Sequence, residues 1–231
     1  MSETKIVLAI FEFVVLVFSL SIHEAAHGWM ANRLGDPTAK MLGRVTLNPI
    51  KHIDPIGTVA IPLVMLLLPT HFLIGWAKPT PVTPANFKNV TRDDILTTVA
   101  GPVSNLLAAV GATVLLLIVS KTSLTGSAIV HQLAGAGAVD PALMGSIVAP
   151  LALILYIGVW LNLLLAVFNL LPLPPLDGSH VFRHMLPYRA LRVYDSMGLF
   201  GLLVFLYWGA PIIGYLVNPA MGLLNGLLLK F

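Results

Sequence analysis

The sequence lacks cysteine and has few charged residues. None of its 231 residues is Cys, so disulfides, thiolate metal ligands and a cysteine nucleophile are excluded. Charged residues make up 10% of the chain and hydrophobic residues 57%, whereas soluble domains carry about 25% charged residues. The composition therefore predicts an integral membrane protein in contact with the lipid bilayer. The net charge of +3 is too small and too dispersed to indicate a nucleic-acid partner.

Four apolar stretches are long enough to cross a membrane as helices, because a span needs about 20 residues. They cover residues 6–29, 95–119, 147–171 and 197–217. No signal-peptide cleavage site follows the first stretch, so we expect that helix to be retained. A fifth stretch, residues 56–76, is interrupted by Pro62, Pro69 and His71 and is expected to be re-entrant or interfacial. The apolar tail, residues 218–231, is too short to cross.

These stretches predict an all-α integral membrane fold. We expect a single polytopic domain over residues 1–231, with its core in residues 6–178 and a C-terminal helix and tail in residues 179–231. One connection is a candidate exception to the helical pattern. Residues 39–48, which lie among several glycines and prolines, could form a short membrane-associated β-hairpin, and a plain connecting loop is the alternative.

The sequence His23-Glu24-Ala25-Ala26-His27 lies near the end of the first stretch. At about 100° per residue, the two histidines stand one above the other on one helix face, where two imidazoles can bind one zinc ion. Glu24 lies beside that face and could take a proton from zinc-bound water and return it to a leaving amine. An ordinary surface helix is the common alternative for so short a motif. Ionisable side chains are costly in lipid, however, and they mark functional sites there, so the motif predicts a zinc site.

Glu12 also lies inside the first stretch. Glu12, Ser19 and His23 fall within about 20° of one helix face. We expect this polar stripe to face other helices or a water-filled cavity rather than lipid. Hydration of Glu12 near the membrane surface is the alternative, and we assign Glu12 no catalytic role.

A second polar motif follows the third long stretch. Residues 169–178 have the sequence NLLPLPPLDG, in which three prolines in four positions end the helix. Broken backbone at this depth is tolerated only where protein buries it or where it lines a cavity. Asp177 could then add a carboxylate to the two imidazoles and leave a fourth position open for water, as in catalytic zinc sites. The alternative is a turn carboxylate that caps the next segment.

The chain thus contains three motifs in order: residues 23–27 (HEAAH), residues 101–105 (GPVSN) and residues 169–178 (NLLPLPPLDG). Together they resemble the signatures of the site-2 protease family of intramembrane zinc metalloproteases. The resemblance covers roughly residues 21–178, with lesser matches at residues 42–49 and 75–79. Members of that family often carry a PDZ domain or a paired nucleotide-binding module. The sequence shows room for neither, which points to a compact member.

The resemblance implies a function and a set of site residues. The implied function is hydrolysis of a peptide bond within or near the transmembrane segment of a single-span membrane protein, in regulated intramembrane proteolysis. One Zn²⁺ per chain is implied, and its ligands are His23, His27 and Asp177. Glu24 is implied as the general base, and Asn169 and Asn105 as residues that help to hold the substrate or the oxyanion. The sequence does not indicate the oligomeric state.

Residues of the second long stretch also have a structural interpretation. Asn105 could simply hydrogen-bond a neighbouring helix, which contributes about 1 kcal/mol or less in a membrane. Gly101 and Pro102 could serve only to permit close packing and a kink.

The third candidate ligand constrains the topology. Asp177 meets the two histidines only if the first and third long stretches run parallel, so one stretch must cross between them and residues 56–76 must not. This arrangement places ten cations on one side of the membrane: Arg33, Lys40, Arg44, Lys51, Lys78, Lys88, Arg92, Arg183, Arg189 and Arg192. The other side receives Lys5, Lys121 and Lys230. Because cytoplasmic loops collect Lys and Arg, we expect the active site near the cytoplasmic face.

Several alternatives stay open from the sequence alone. A membrane metal transporter or sensor would spread its ligands along a path, and a non-cleaving scaffold would have no need of Glu24. A prenyl-protein endopeptidase would use a glutamate as third ligand, and Asp54 is another candidate ligand. His180 and His184 are four residues apart with no acid between them. We interpret them as cytoplasmic side chains, with tuning or occlusion of the site as the alternative.

Overall fold

The computed structural model describes residues 3–67, 75–136 and 139–231. The α-helices within these ranges are α1 (Glu3–Leu34), α2 (Thr38–Met41), α3 (Ile61–Leu67), α4 (Val90–Thr122), α5 (Leu124–Ala136), α6 (Pro141–Met144), α7 (Val148–Asn169), α8 (Asp177–Arg183) and α9 (Tyr188–Lys230). Short 3-10 or π-helical turns occur at Pro49–Lys51, Pro55–Ala60 and Pro84–Asn86. The described ranges contain no β-strand, in agreement with the all-α prediction.

Four helical stretches are long and apolar enough to cross a membrane, as predicted. They are Ile6–Leu34, Val90–Thr122, Val148–Asn169 and Pro211–Lys230. The prediction for the C-terminal tail is wrong, because residues 218–230 continue α9 and belong to the last of these stretches. Pro211 and Pro219 lie within α9 without ending it, and its backbone leaves helical geometry at Gly198 instead. Membrane helices tolerate proline because neighbouring groups satisfy the freed backbone carbonyls.

The described part of residues 56–76 is too short to cross. It is an apolar helical segment, Pro55–Met65, about 16 Å long at 1.5 Å per residue. The hydrocarbon core of a bilayer is about 30 Å thick. Pro69 and His71 of the predicted re-entrant or interfacial segment lie outside the described residues, and that segment stays a prediction.

Residues 39–48 do not form the β-hairpin considered from the sequence. The N–H groups of residues 41–44 all donate to carbonyl oxygens of residues 37–40, partly within α2. This local bonding uses the donors that strand pairing would need. Gly43, with φ of 65°, permits the turn that follows α2. The segment is therefore a connecting loop, which was the alternative.

The central helix of the bundle is α4, which packs against α1, α5, α7 and α8. The larger hydrophobic core lies among α4, α5, α7 and α9 and includes Leu116, Ile129 and Val159. A second core joins α1 to α7 through Leu16 and Leu161. Because α4 contacts every helix that carries a candidate site residue, its position determines how those residues meet.

Residues 75–86 form a strap that runs past the C-terminal half of α1. The Lys78 N–H donates to the His52 carbonyl at 2.9 Å, and the Arg44 guanidinium donates to the Lys78 carbonyl. The start of the strap is therefore fixed to the connection between α1 and α3.

Asp36 fixes the other end of the strap. This fully buried carboxylate accepts the Thr83 N–H at 2.7 Å and the Asn86 side-chain amide at 2.8 Å. Burial raises the pKa of Asp36, but hydrogen bonds from Thr38, Thr83 and Asn86 lower it, and the pKa lies below its usual value. The charged form of Asp36 therefore holds the strap at neutral pH.

Candidate metal centre

α1 presents His23 and His27 one turn apart. The ring centroids are 4.6 Å apart, and the residues are 4% and 9% exposed. Both imidazoles lie against Gly101 of α4. A Cβ atom at Gly101 would lie 2.4 Å from His27 Nε2 and 2.7 Å from His23 Cε1. Glycine is required here because any side chain would occupy the space of the two rings.

Asp177 reaches the same place from α8. The proline-rich segment after α7 ends the helical backbone, and α8 begins at Asp177. Asp177 Oδ2 lies 3.0 Å from His23 Nε2 and 3.4 Å from His27 Nε2. A Cβ atom at Gly178 would lie 2.3 Å from the Leu170 carbonyl oxygen, so glycine lets α8 begin directly against the end of α7. The structure thus brings the three predicted ligands together.

Both imidazoles are held through their Nδ1 atoms. His27 Nδ1 lies 2.8 Å from the Thr97 carbonyl oxygen, which can only accept, so this nitrogen carries the proton. His23 Nδ1 lies 2.6 Å from Asn105 Oδ1, which is also an acceptor. In a neutral imidazole, a proton on Nδ1 leaves the lone pair on Nε2. Both Nε2 atoms therefore direct lone pairs toward Asp177.

Three electron-pair donors converge at this point. The ligand atoms of His23, His27 and Asp177 lie within 4.8 Å of one another, and Asp177 Oδ2 is buried with no hydrogen-bond donor among the described residues. One proton would satisfy two of the three atoms, whereas a divalent cation satisfies all three. Two imidazoles and one carboxylate, with a fourth position open, are a donor set that fits zinc.

Glu24 is oriented by the strap. Its Oε2 accepts the Thr80 N–H at 2.7 Å, and the Thr80 hydroxyl donates to the Glu24 carbonyl at 3.0 Å. A Cβ atom at Gly28, one turn along α1, would lie 3.3 Å from the Thr80 methyl group. The strap therefore packs closely against α1, and Thr80 fixes the orientation of the Glu24 carboxylate.

Asn105 lies where α4 packs against α1 and α7. It is fully buried. Its amide nitrogen donates to Asn162 Oδ1 at 2.8 Å and to the Ser19 carbonyl at 3.3 Å, while its oxygen faces His23. Both ends of the Asn105 amide are thus engaged between helices, as the structural alternative expected, and its role toward the substrate or the oxyanion stays a prediction. Ser19 Oγ accepts from the Asn162 amide at 2.9 Å, so two residues of the polar stripe of α1, Ser19 and His23, face α7 and α4.

The Asn169 amide and the Asp54 carboxylate hydrogen-bond to backbone groups close to them in the sequence. Asn169 is half-buried at the end of α7, and its amide nitrogen donates to the Leu165 carbonyl at 3.0 Å. Asp54, the alternative ligand, accepts the N–H groups of Ile56 and Gly57 at 3.0 and 2.7 Å. Asp54 therefore caps the helical segment before α3 and takes no part in the metal centre.

His180 and His184 both face Asp94 of α4. His184 Nε2 lies 2.9 Å and His180 Nδ1 lies 3.7 Å from Asp94 Oδ2. These contacts join α8 to α4 one turn and two turns after Asp177. They help to hold α8, and thereby Asp177, against the central helix.

The sequence did not predict three residues that shape the site: Thr80, Thr97 and Asn162. Thr80 and Thr97 act chiefly through backbone groups, for which side-chain patterns carry no signal. Asn162 did carry a signal. It is an amide two turns before Asn169 within an apolar stretch, and polar groups at that depth are costly unless they have a function.

The contact at Gly101 generates a test. Gly101→Ala should lower zinc affinity about 10–100-fold, the range seen when groups around metal ligands are displaced, because the new methyl group overlaps both imidazoles. Gly111→Ala, on the same helix with no atom within 4 Å of the added Cβ, should leave zinc affinity unchanged. Zinc affinity of both variants is measured by competition with a chromophoric chelator. Equal affinities in the two variants would contradict the described contact.

Comparisons with known proteins agree with this geometry. The profile of peptidase family M50 matches residues 11–205. The chain is 34% identical to the candidate zinc metalloprotease YwhC of Bacillus subtilis (strain 168), over 90% of this chain and 84% of YwhC. It is 31% identical to the candidate zinc metalloprotease Rip2 of Mycobacterium tuberculosis (strain ATCC 25618 / H37Rv), over 80% of this chain and 62% of Rip2.

A Rip2 protein of Mycolicibacterium smegmatis is 25% identical over 89% of this chain and 66% of its own length. The chain thus spans slightly less than two thirds of these mycobacterial relatives. No solved structure gives a significant match. The matched profile covers most of the chain, and four of its helices are long and apolar enough to cross a membrane. The chain belongs to peptidase family M50 and is an integral membrane zinc metalloprotease.

Proposed function

We propose that this protease hydrolyses a peptide bond within or near the transmembrane segment of a single-span membrane protein. In this proposal the zinc ligands are His23, His27 and Asp177. The observation that carries the proposal is the convergence of these three electron-pair donors. Two of them, together with Glu24, lie on a helix of membrane-spanning length. Regulated intramembrane proteolysis is the process that such a reaction would serve.

The depth of the site supports a substrate bond near the membrane surface. His23 and His27 lie 11 and 7 residues before the end of α1 at Leu34, which is about 16 and 10 Å at 1.5 Å per residue. The ligands therefore lie inside the helical bundle but in the part of α1 closest to its C-terminal end. A peptide bond in the outer part of a substrate helix, or just beyond it, would reach this depth.

Glu24 is proposed as the general base. Zinc, when bound, supplies a Lewis acid that polarises the scissile carbonyl and makes water more acidic. Glu24 takes the proton from the attacking water and delivers it to the amine that leaves, so the carboxylate is regenerated. Thr80 orients Glu24 by donating its N–H to Oε2 at 2.7 Å. Asn169, eight residues before Asp177, is a candidate for helping to hold the substrate or the oxyanion.

The substrate helix must unwind before attack. A transmembrane helix engages its peptide groups in internal hydrogen bonds, because lipid offers no other partner. Residues such as Gly or Pro in the substrate segment lower the cost of opening these bonds. We therefore propose a preference for substrates whose transmembrane segment contains a helix breaker near the cleaved bond.

The proposed orientation places the metal centre near the cytoplasmic face. It puts ten Lys and Arg residues on that side and three on the other. Lys121 Nζ lies 4.8 Å from the centroid of the Phe231 ring. This contact supports the assignment of the ends of α4 and α9 to one side, together with the sparse cations at Lys121 and Lys230.

Glu24→Gln should abolish proteolysis while the protein still binds zinc. The amide keeps the shape of the side chain but cannot accept the proton, and loss of a general base costs about 10²–10⁴-fold in rate. Cleavage is measured in proteoliposomes against two single-span proteins that differ only in a Gly-Pro pair or a Leu-Leu pair in the transmembrane segment. Wild-type protein should cleave the Gly-Pro version faster, and a zinc chelator should stop both reactions.

Asp140→Asn provides the matched control for the change of carboxylate to amide. Asp140 is exposed and caps α6, and Asn caps helices about as well as Asp. This variant should cleave like the wild type. Wild-type rates in Glu24→Gln would remove Glu24 from its role, and loss of zinc from that variant would indicate a structural effect instead.

The orientation has a separate test. A cysteine introduced between residues 121 and 146 should react with a membrane-impermeant thiol reagent from outside intact cells, since the natural chain has no cysteine. A cysteine next to Arg189 should react only after the cells are opened. Labelling of both positions from the same side would refute the proposed topology.

A further inference from the structure

We propose that Asn105 and Asn162 form a relay of two side-chain amides that fixes the tautomer of His23 and so prepares its Nε2 for zinc. Both are positioning residues, because they act on the metal only through His23. The inference rests on the proposed role of His23 as a zinc ligand. It concerns two buried residues, Asn105 of α4 and Asn162 of α7.

The relay begins at a backbone carbonyl of α7. The Asn162 amide lies 2.8 Å from the Gly158 carbonyl oxygen and 2.9 Å from Ser19 Oγ. A carbonyl oxygen can only accept a hydrogen bond, so the Asn162 atom that faces it must be the NH₂ group. The oxygen of Asn162 must then face the other way, toward Asn105. The orientation of the Asn162 amide is thus fixed by its carbonyl partner, whichever way its nitrogen and oxygen are first assigned.

The second amide is oriented by the first. Asn162 Oδ1 accepts from Asn105 Nδ2 at 2.8 Å. The Ser19 carbonyl oxygen, 3.3 Å from the same nitrogen, is a second and longer acceptor. With both acceptors on one side, the NH₂ group of Asn105 must face them. Its oxygen is therefore directed at His23 Nδ1, 2.6 Å away.

The relay ends by selecting one form of the imidazole. Because Asn105 Oδ1 can only accept, His23 Nδ1 must carry the proton, and the lone pair lies on Nε2 opposite Asp177. His27 achieves the same state in one step through the Thr97 carbonyl. A reversed Asn105 amide would present NH₂ to His23 Nδ1. It would then favour the tautomer whose Nε2 is protonated and unable to bind zinc.

Substitutions at Asn105 separate this role from simple packing. Asn105→Leu keeps a similar shape but offers no acceptor, and it should lower zinc affinity about 10–100-fold. Asn105→Asp offers an acceptor to His23 in either orientation, and it should retain zinc affinity within about threefold. A purely structural role predicts the reverse order, because a buried carboxylate costs more folding free energy than a buried leucine.

Substitution of Asn162 tests the transmission through the relay. Asn162→Leu should lower zinc affinity about tenfold in the natural chain, because only the longer bond to the Ser19 carbonyl then orients Asn105. The same substitution in an Asn105→Asp chain should cause no further loss, since the carboxylate needs no orientation. Equal losses in both chains would overturn the relay. If Asn162→Leu does not fold, Asn162→Ala supports the same comparison.

Thr113→Val is the matched control. Thr113 is a buried polar residue of α4, two turns beyond Asn105, and its hydroxyl donates to the Ala109 carbonyl at 2.9 Å. Its loss removes a buried hydrogen bond that has no connection to His23. Zinc affinity should stay within about twofold of the natural chain, although the protein should unfold at a lower temperature.

The variant His23→Ala, measured in the same chelator competition, distinguishes a failure of the relay from a failure of the assignment of His23 as a zinc ligand. If His23→Ala loses zinc while Asn105→Leu and Asn162→Leu bind it normally, the relay is wrong and the ligand assignment stands. If His23→Ala binds zinc normally, the ligand assignment is wrong and the relay falls with it. Loss of affinity in all three, with recovery in Asn105→Asp, is the expected result.

Discussion

One face of α4 determines the geometry of the metal centre. Four of its residues follow one another at intervals of three or four and so share this face: Asp94, Thr97, Gly101 and Asn105. Gly101 leaves space for two imidazoles, while Thr97 and Asn105 accept hydrogen bonds from them. Asp94 contacts the two histidines of α8, the helix that begins with the third candidate ligand. A shift of α4 along its axis would disturb all three candidate ligands together.

The membrane makes these contacts more demanding than they would be in water. Lipid provides no hydrogen-bond partners, so each polar group at this depth must find one within the protein. Ser19, Asn105 and Asn162 satisfy one another between α1, α4 and α7, and the histidine Nδ1 atoms are satisfied as well. Asp177 Oδ2 is buried, has no hydrogen-bond donor among the described residues, and faces the Nε2 atoms of both histidines. The same network thus joins the helices and leaves the binding atoms exposed to the metal.

The sequence predicted the parts of this arrangement that depend on regular geometry. Helical periodicity places His23 and His27 on one face, and the proline run explains why Asp177 comes after broken backbone. The four spans were predicted because apolar stretches of this length are unusual in soluble proteins and typical of transmembrane helices. Asp177 was predicted to meet the histidines because a carboxylate completes a catalytic zinc site and because the first and third long stretches can run parallel. The sequence alone also allowed Asp177 to be a turn carboxylate.

The remaining features depend on contacts between distant segments. The helix α5 lies in a stretch rich in Gly, Ala and Ser, and burial of Ile129, Val130 and Leu133 in the core compensates for that weak pattern. The backbone groups of Thr80 and Thr97 act at positions that no side-chain pattern marks. The resemblance implied a role for Asn105 toward the substrate or the oxyanion, whereas the sequence alone does not reveal which way its amide points.

The most direct test of this account is a structure of the zinc-loaded protein with anomalous diffraction recorded at the zinc absorption edge. The account predicts one anomalous peak per chain, about 2.0–2.2 Å from His23 Nε2, His27 Nε2 and a carboxylate oxygen of Asp177. A zinc peak at another position, such as between His180, His184 and Asp94, with none between the first three residues, would contradict it.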